Sequence, residues 1–80
     1  SVEQRLKSAL VRVLDDAVDE QSITDDVALT GGGLGLDSIV LLRLLNEIER
    51  EFDLDIDDDD IGPELFHSIS TLAAYIRGRQ

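Results

Sequence analysis

Apolar residues return at spacings near three and four in three stretches of the chain, which predicts three longer helices. Val2, Leu6, Ala9, Leu10, Val13, Leu14 and Val18 form the first stripe, over about Val2 to Val18, with Glu3 in its first turn and Arg5, Lys7 and Arg12 at polar positions. Asp15, Asp16, Asp19 and Glu20 crowd its carboxyl end. Anions there oppose the helix dipole, so that end is expected to fray. From Ser38 to about Phe52, Leu41, Leu42, Leu45, Ile48 and Phe52 make a second stripe; Ile39 is expected to pack inward, with Glu47, Glu49, Arg50 and Glu51 outside. Ser68 caps a last helix carrying Ile69, Leu72, Ala73 and Ile76, where Tyr75 packs its ring and leaves its hydroxyl wet. Ile61 to Phe66 reads as a short helical turn with Leu65 and Phe66 in the core, and Val27 and Leu29 as the anchors of a long first loop. The expectation is an all-α four-helix bundle, three longer helices plus one short, forming one domain over 1–80.

The second helix carries more apolar residues than one face needs. Val40 and Leu44 complete a run from Ile39 to Leu45 that only Arg43 interrupts. Two readings stay open for this surplus: an exposed docking patch, or a helix buried on several sides in a small fold.

Charge narrows the partners. Eighteen acidic residues against seven Lys and Arg give a net charge of −11, which repels nucleic acid and anionic membranes and attracts basic protein patches. Self-repulsion should be relieved by salt, and a local cation site among the acids should make Mg²⁺ more effective than NaCl at equal ionic strength. With no cysteine, disulfides and thiolate metal sites are excluded. No apolar stretch reaches the roughly 18 residues of a membrane span, and the amino end lacks a secretion-signal layout, so a cytoplasmic protein is expected. The chain contains no methionine, so the initiating residue is expected to be removed or to lie before Ser1.

Four candidate chemistries weaken on detail. The loop Thr30–Gly35, with Gly31, Gly32, Gly33 and Gly35, lacks the preceding strand and the Gly-Lys-Ser/Thr of a nucleotide loop, but suits a close backbone approach. Asp53, Asp55, Asp57 and Glu64 have the spacing of a calcium loop, yet Asp58 replaces the glycine of the sixth place and Asp60 the apolar anchor of the eighth. Loose divalent binding by the Asp53–Asp60 acids is the stronger expectation. His67, the only histidine, has no metal-binding partner, and Ser38 with a lone His67 lacks the third group of a hydrolase triad.

Ser38 remains. It lies in Gly35-Leu36-Asp37-Ser38-Ile39, after the glycine loop and in the first turn of the second helix, where unpaired backbone N–H groups favour a negative group on its hydroxyl. Asp37 alone could be an ordinary N-cap. The segment resembles the attachment motif of the acyl and peptidyl carrier proteins. That resemblance implies a helical bundle, a 4′-phosphopantetheine arm from coenzyme A on Ser38 and Asp37 as the acid before it. It also aligns Leu36 and Ile39 as flanking apolar residues, and Phe66, Ser68 and Ile69 as the entry to the last helix. No base flanks Ser38, so the chain is expected not to be an enzyme. A phosphopantetheinyl transferase would attach the arm with Mg²⁺, oriented by Asp37 and an acidic face of the second helix.

Acyl-loading and condensing enzymes with basic docking patches would follow, meeting Val40, Leu41, Arg43, Leu44 and Glu47. Arg43, five places after the serine, is more like the peptidyl carriers; the charge and length are more like discrete acyl carriers. The expected function is a monomeric shuttle of acyl or aminoacyl thioesters in a specialised polyketide, lipid or aminoacyl pathway. The competing class is an arm-less acidic interaction module, and a calcium-binding domain comes after it.

Overall fold

A computed structural model describes residues 1–80. Three α-helices, α1 (Val2–Val13), α2 (Ser38–Phe52) and α3 (Ile69–Arg79), are joined by two long connections, each holding one 3₁₀ turn, Glu20–Ser22 and Asp58–Asp60. No strand is present. α1 packs against both other helices. Leu6, Ala9, Leu10 and Val13 meet Leu44, Leu45, Ile48 and Phe52 of α2 and Ile69, Leu72, Ala73 and Ile76 of α3 in one core. The connections complete it with Ile23, Leu29, Ile56, Leu65 and Phe66.

Each helix begins on a side-chain cap. Ser1 and Gln4 form a capping box on α1, with the Gln4 N–H donating to Ser1 Oγ at 3.2 Å. The Thr71 N–H donates to Ser68 Oγ at 3.1 Å, so buried Ser68 caps α3 as its sequence position predicts.

Two helical expectations change. α1 stops at Val13, not near Val18, because Asp15 and Asp16 adopt left-handed backbone, φ 54° and 62°. The Asp16 N–H then reaches Val11 O at 3.0 Å and the Asp15 N–H reaches Arg12 O at 3.2 Å. This closure satisfies the last carbonyls of α1 and turns the chain away before its acids extend the helix. The short helix expected over Ile61–Phe66 is instead a pair of turns, with Leu65 N–H donating to Gly62 O and His67 N–H to Glu64 O. Extended Ser68, φ −163°, breaks the path into α3. Leu65 and Phe66 are nonetheless buried, so the anchors are right although the element is not.

Ion pairs tie the helices together. Arg5 Nε lies 2.9 Å from Glu51 Oε2, its NH2 donates to Glu51 O at 2.8 Å, and its guanidinium stacks 4.2 Å from the Phe52 ring centroid. Arg12 bridges Glu47 and Glu51, each at 3.2 Å. Residue 5 facing 51, and 12 facing 47, make α1 and α2 antiparallel. Arg77 grips Glu3 in a two-pronged pair at 2.8 and 2.5 Å. Hydrogen bonds from Arg77 hold the Glu3 carboxyl at a pKa of about 2.

Candidate functional site: the start of α2

The segment before Ser38 is built by backbone contact. Leu34 N–H donates to Ala28 O at 2.8 Å and Leu36 N–H to Leu29 O at 2.9 Å, while the Leu29 side chain is fully buried beneath them. Gly33 is where this ring closes. A Cβ there would sit 2.0 Å from Ala28 O, well inside contact distance, so only glycine fits. Gly35 supplies the left-handed turn, φ 65°, that leads into the helix. The close approach expected of the glycine loop is thus made by the protein's own backbone.

Asp37 follows in extended conformation and caps α2: its Oδ1 accepts from Val40 N–H at 2.9 Å and its carbonyl from Leu41 N–H at 3.0 Å. Ser38 is the first helical residue and is exposed. Its Oγ makes no hydrogen bond within the chain, and the N–H groups of Ser38 and Ile39 have no acceptor there. The hydroxyl is therefore free, unhindered and beside two open donors. This arrangement fits a phosphate ester, whose oxygens take what the helix start leaves unpaired. It does not fit a nucleophile of the protein's own, since no base hydrogen-bonds to Ser38.

The comparisons agree with this geometry. Residues 4–76 match the family described as a phosphopantetheine attachment site, a span with Ser38 inside it. The chain belongs to the acyl carrier protein family. It is 35% identical over 82 residues to an acyl carrier protein of Desulforapulum autotrophicum, covering 96% of this chain and 95% of that one. The solution structure of a holo acyl carrier protein from Nitrosomonas europaea superposes with a TM-score of 0.84 at 25% identity, over 96% of this chain and 93% of the other. Members of this family are carriers and not enzymes, and covalently bound phosphopantetheine is their prosthetic group. No helix is long and apolar enough to cross a membrane.

The docking residues expected along α2 separate on the structure. Leu44 is 1% exposed and belongs to the core, so it cannot meet a partner. Val40 and Leu41 are half-buried against the same core. Glu47 pairs with Arg12 and with Arg50, and the hydrogen bond from Arg12 is the chief cause that holds its carboxyl below the usual pKa. Arg43 is exposed and is the one cation of seven without an acidic partner.

Ile39 and Leu42, expected inside, are 69% and 57% exposed. At 100° per residue Ile39 lies opposite Ile48, while Leu42 lies only about 60° from Leu45, at the edge of the buried face, a placement that the apolar run concealed. Nor is the outer face of α2 acidic. Glu47 and Glu51 turn to the arginines of α1, and Glu49 Oε2 accepts from Ile56 N–H at 2.9 Å. What faces out beyond Ser38 is Ile39, Leu42, Arg43, Asn46 and Arg50.

The acidic loop offers no preformed cation site. Nowhere do three His, Asp or Glu side chains converge as ligands, so neither the calcium-loop spacing nor the Asp53–Asp60 run has become a metal centre. Asp57 and Asp60 are occupied with structure instead. Asp57 Oδ1 accepts from Asp59 N–H at 3.0 Å, and Asp60 Oδ2 takes the Tyr75 hydroxyl at 2.8 Å and Arg79 at 2.6 Å.

Proposed function

We propose that Ser38 bears the 4′-phosphopantetheine arm and that the chain, acting as a single carrier domain in the cytoplasm, shuttles acyl or aminoacyl groups between enzymes of a specialised polyketide, lipid or aminoacyl pathway. The observation that supports it is the free Ser38 hydroxyl at the first turn of α2, directly after the capping Asp37. The bound arm supplies a terminal thiol on which cargo rides as a thioester. The protein supplies position. Gly33 and the Ala28–Leu36 ring hold Ser38 at the end of a packed helix, Asp37 starts that helix, and the two open N–H groups would be available to the phosphate.

Attachment forms one ester bond between Ser38 Oγ and phosphorus of coenzyme A and breaks its pyrophosphate link, the nucleotide half leaving. The displaced hydroxyl proton passes to a base on the phosphopantetheinyl transferase, because the chain has none at hand. Incubation with coenzyme A, Mg²⁺ and a broad-specificity transferase, followed by intact mass, is expected to add one phosphopantetheine to the wild type and nothing to Ser38→Ala. Persistence of the mass gain in Ser38→Ala would place the arm elsewhere. No gain in either protein would favour the arm-less interaction module.

A further inference from the structure

We propose that Lys7 is the one side chain on which this carrier can lose a thioester-bound acyl group to itself, and that Asp25 holds the Lys7 amine back from that acyl transfer. The inference rests on the carrier reading of Ser38 and adds a modification site for the cargo of its arm.

A chain that carries activated acyl groups exposes its own nucleophiles to them. Thiols and amines take an acyl group from a thioester and keep it. This chain has no cysteine and a single lysine; its other six cations are arginines, whose guanidinium stays charged and is no acyl acceptor. Transfer to Lys7 is a balanced exchange. Nζ attacks the thioester carbonyl, a C–N bond forms as the C–S bond breaks, and the proton shed by nitrogen ends on the departing thiol. The product is a stable amide, and the cargo is stranded on α1.

The fold withdraws that amine. Lys7 Nζ lies 2.7 Å from Asp25 Oδ1, and its side chain is 19% exposed, where every ion-paired arginine is at least 40% exposed. Glu3, one turn back on α1, is occupied by Arg77, so Asp25 is the acid that holds Lys7. Backbone places Asp25 in turn, since its carbonyl accepts from Ser70 N–H at 2.9 Å. Substituting the Asp25 side chain therefore frees Lys7 without cutting that link. The Lys7 nitrogen must leave its partner before it can meet a carbonyl carbon, and a pair of this strength slows the step by a small factor.

The test is incubation of the chain with an excess of the acetyl thioester of a small free thiol, followed by digestion and peptide mass. Asp25→Ala is expected to acetylate Lys7 about threefold faster than the wild type, and Asp25→Asn, which keeps the side chain's size, to show a gain in the same direction. Arg43→Lys supplies the reference, an amine at an exposed position without an acidic partner. That amine should react faster than Lys7 in the same molecule, and at one rate with or without Asp25→Ala, which separates release of Lys7 from a general loosening of the fold. In chains primed and loaded with an acetyl group, Asp25→Ala should pass more of it to Lys7, and Lys7→Arg should pass none to position 7. Equal Lys7 rates in the wild type and both Asp25 variants overturn the inference and spare the carrier reading. A wild type that is never primed overturns the carrier reading, while the free-thioester rates still decide the role of Asp25.

Discussion

The two long connections solve the same problem, spanning the ends of packed helices, with different bonds. The first, from the end of α1 to Ser38, is fastened mainly by backbone. The Ala28–Leu34 and Leu29–Leu36 hydrogen bonds close it, Ser70 N–H donates to Asp25 O at 2.9 Å, and Ile23 and Leu29 are buried. The second, from Asp53 to Ser68, also has buried anchors in Ile56, Leu65 and Phe66, but its acidic turn is held by side chains. Tyr75, Arg79 and Glu49 hold Asp60 and Ile56 in place. Amide groups do not titrate, so the backbone bonds that close the loop before Ser38 should be indifferent to salt and pH, whereas the exposed pairs, Lys7–Asp25 in the first connection and Arg79–Asp60 in the second, are screened. Ser38 follows directly from the backbone-closed loop of the first.

Substitutions and pH sharpen this contrast. The largest effect is expected at Gly33→Ala, whose Cβ meets Ala28 O at 2.0 Å. Relieving that overlap must open the ring, a loss of about 3 kcal/mol that a urea melt would register, together with slower priming of Ser38. A variant as stable as the wild type would mean the ring does not set the position of Ser38.

Asp15→Gly should act in the other direction. It relieves a non-glycine residue at φ 54° in the closure of α1, so a gain of about 1 kcal/mol is expected in thermal unfolding. A fall in stability would show that the Asp15 carboxylate makes a contribution larger than its backbone strain.

The smallest effect belongs to the second connection. Burial, followed by the hydrogen bond to Asp60, raises the pKa of Tyr75 above its ordinary value of 10.0. The folded state thus keeps the phenol proton more tightly than the unfolded chain. Its stabilisation is complete below pH 10 and drains away as pH rises through the folded-state value. Tyr75→Phe should cost about 0.5 kcal/mol near neutrality and remove that alkaline sensitivity, with Ser38 priming unaffected. Equal alkaline melting of the two proteins would remove Tyr75 as the cause.

Much of this was legible in sequence, for local reasons. Asp37 and Ser68 are caps because short oxygen-bearing side chains before an apolar period satisfy helix-start donors, and Leu29, Leu65 and Phe66 anchor loops because isolated apolar residues among acids have nowhere else to go. The early stop of α1 was less legible. Asp15 and Asp16 signalled an unfavourable end, but a left-handed closure with aspartate in the usual place of glycine carries no distinctive pattern. The short helix at Ile61–Phe66 rests on Leu65 and Phe66, a signal that a hydrogen-bonded turn gives equally well.

Which apolar residues of α2 reach solvent was not legible, for a different cause. With six apolar residues in seven positions from Ile39 to Leu45, periodicity could not rank Leu44 against Leu42. The packing of α2 onto the core ranks them, burying the first and exposing the second.

From its residues alone, then, the chain determined a helical bundle, the caps that start α2 and α3, and a serine placed to carry an ester, because each follows from interactions within a few positions along the backbone. Tertiary structure alone decided which side of α2 meets the solvent and which arginines remain unpaired. Those outcomes depend on what the other helices cover and which carboxylates they engage, and no local spacing contains that information.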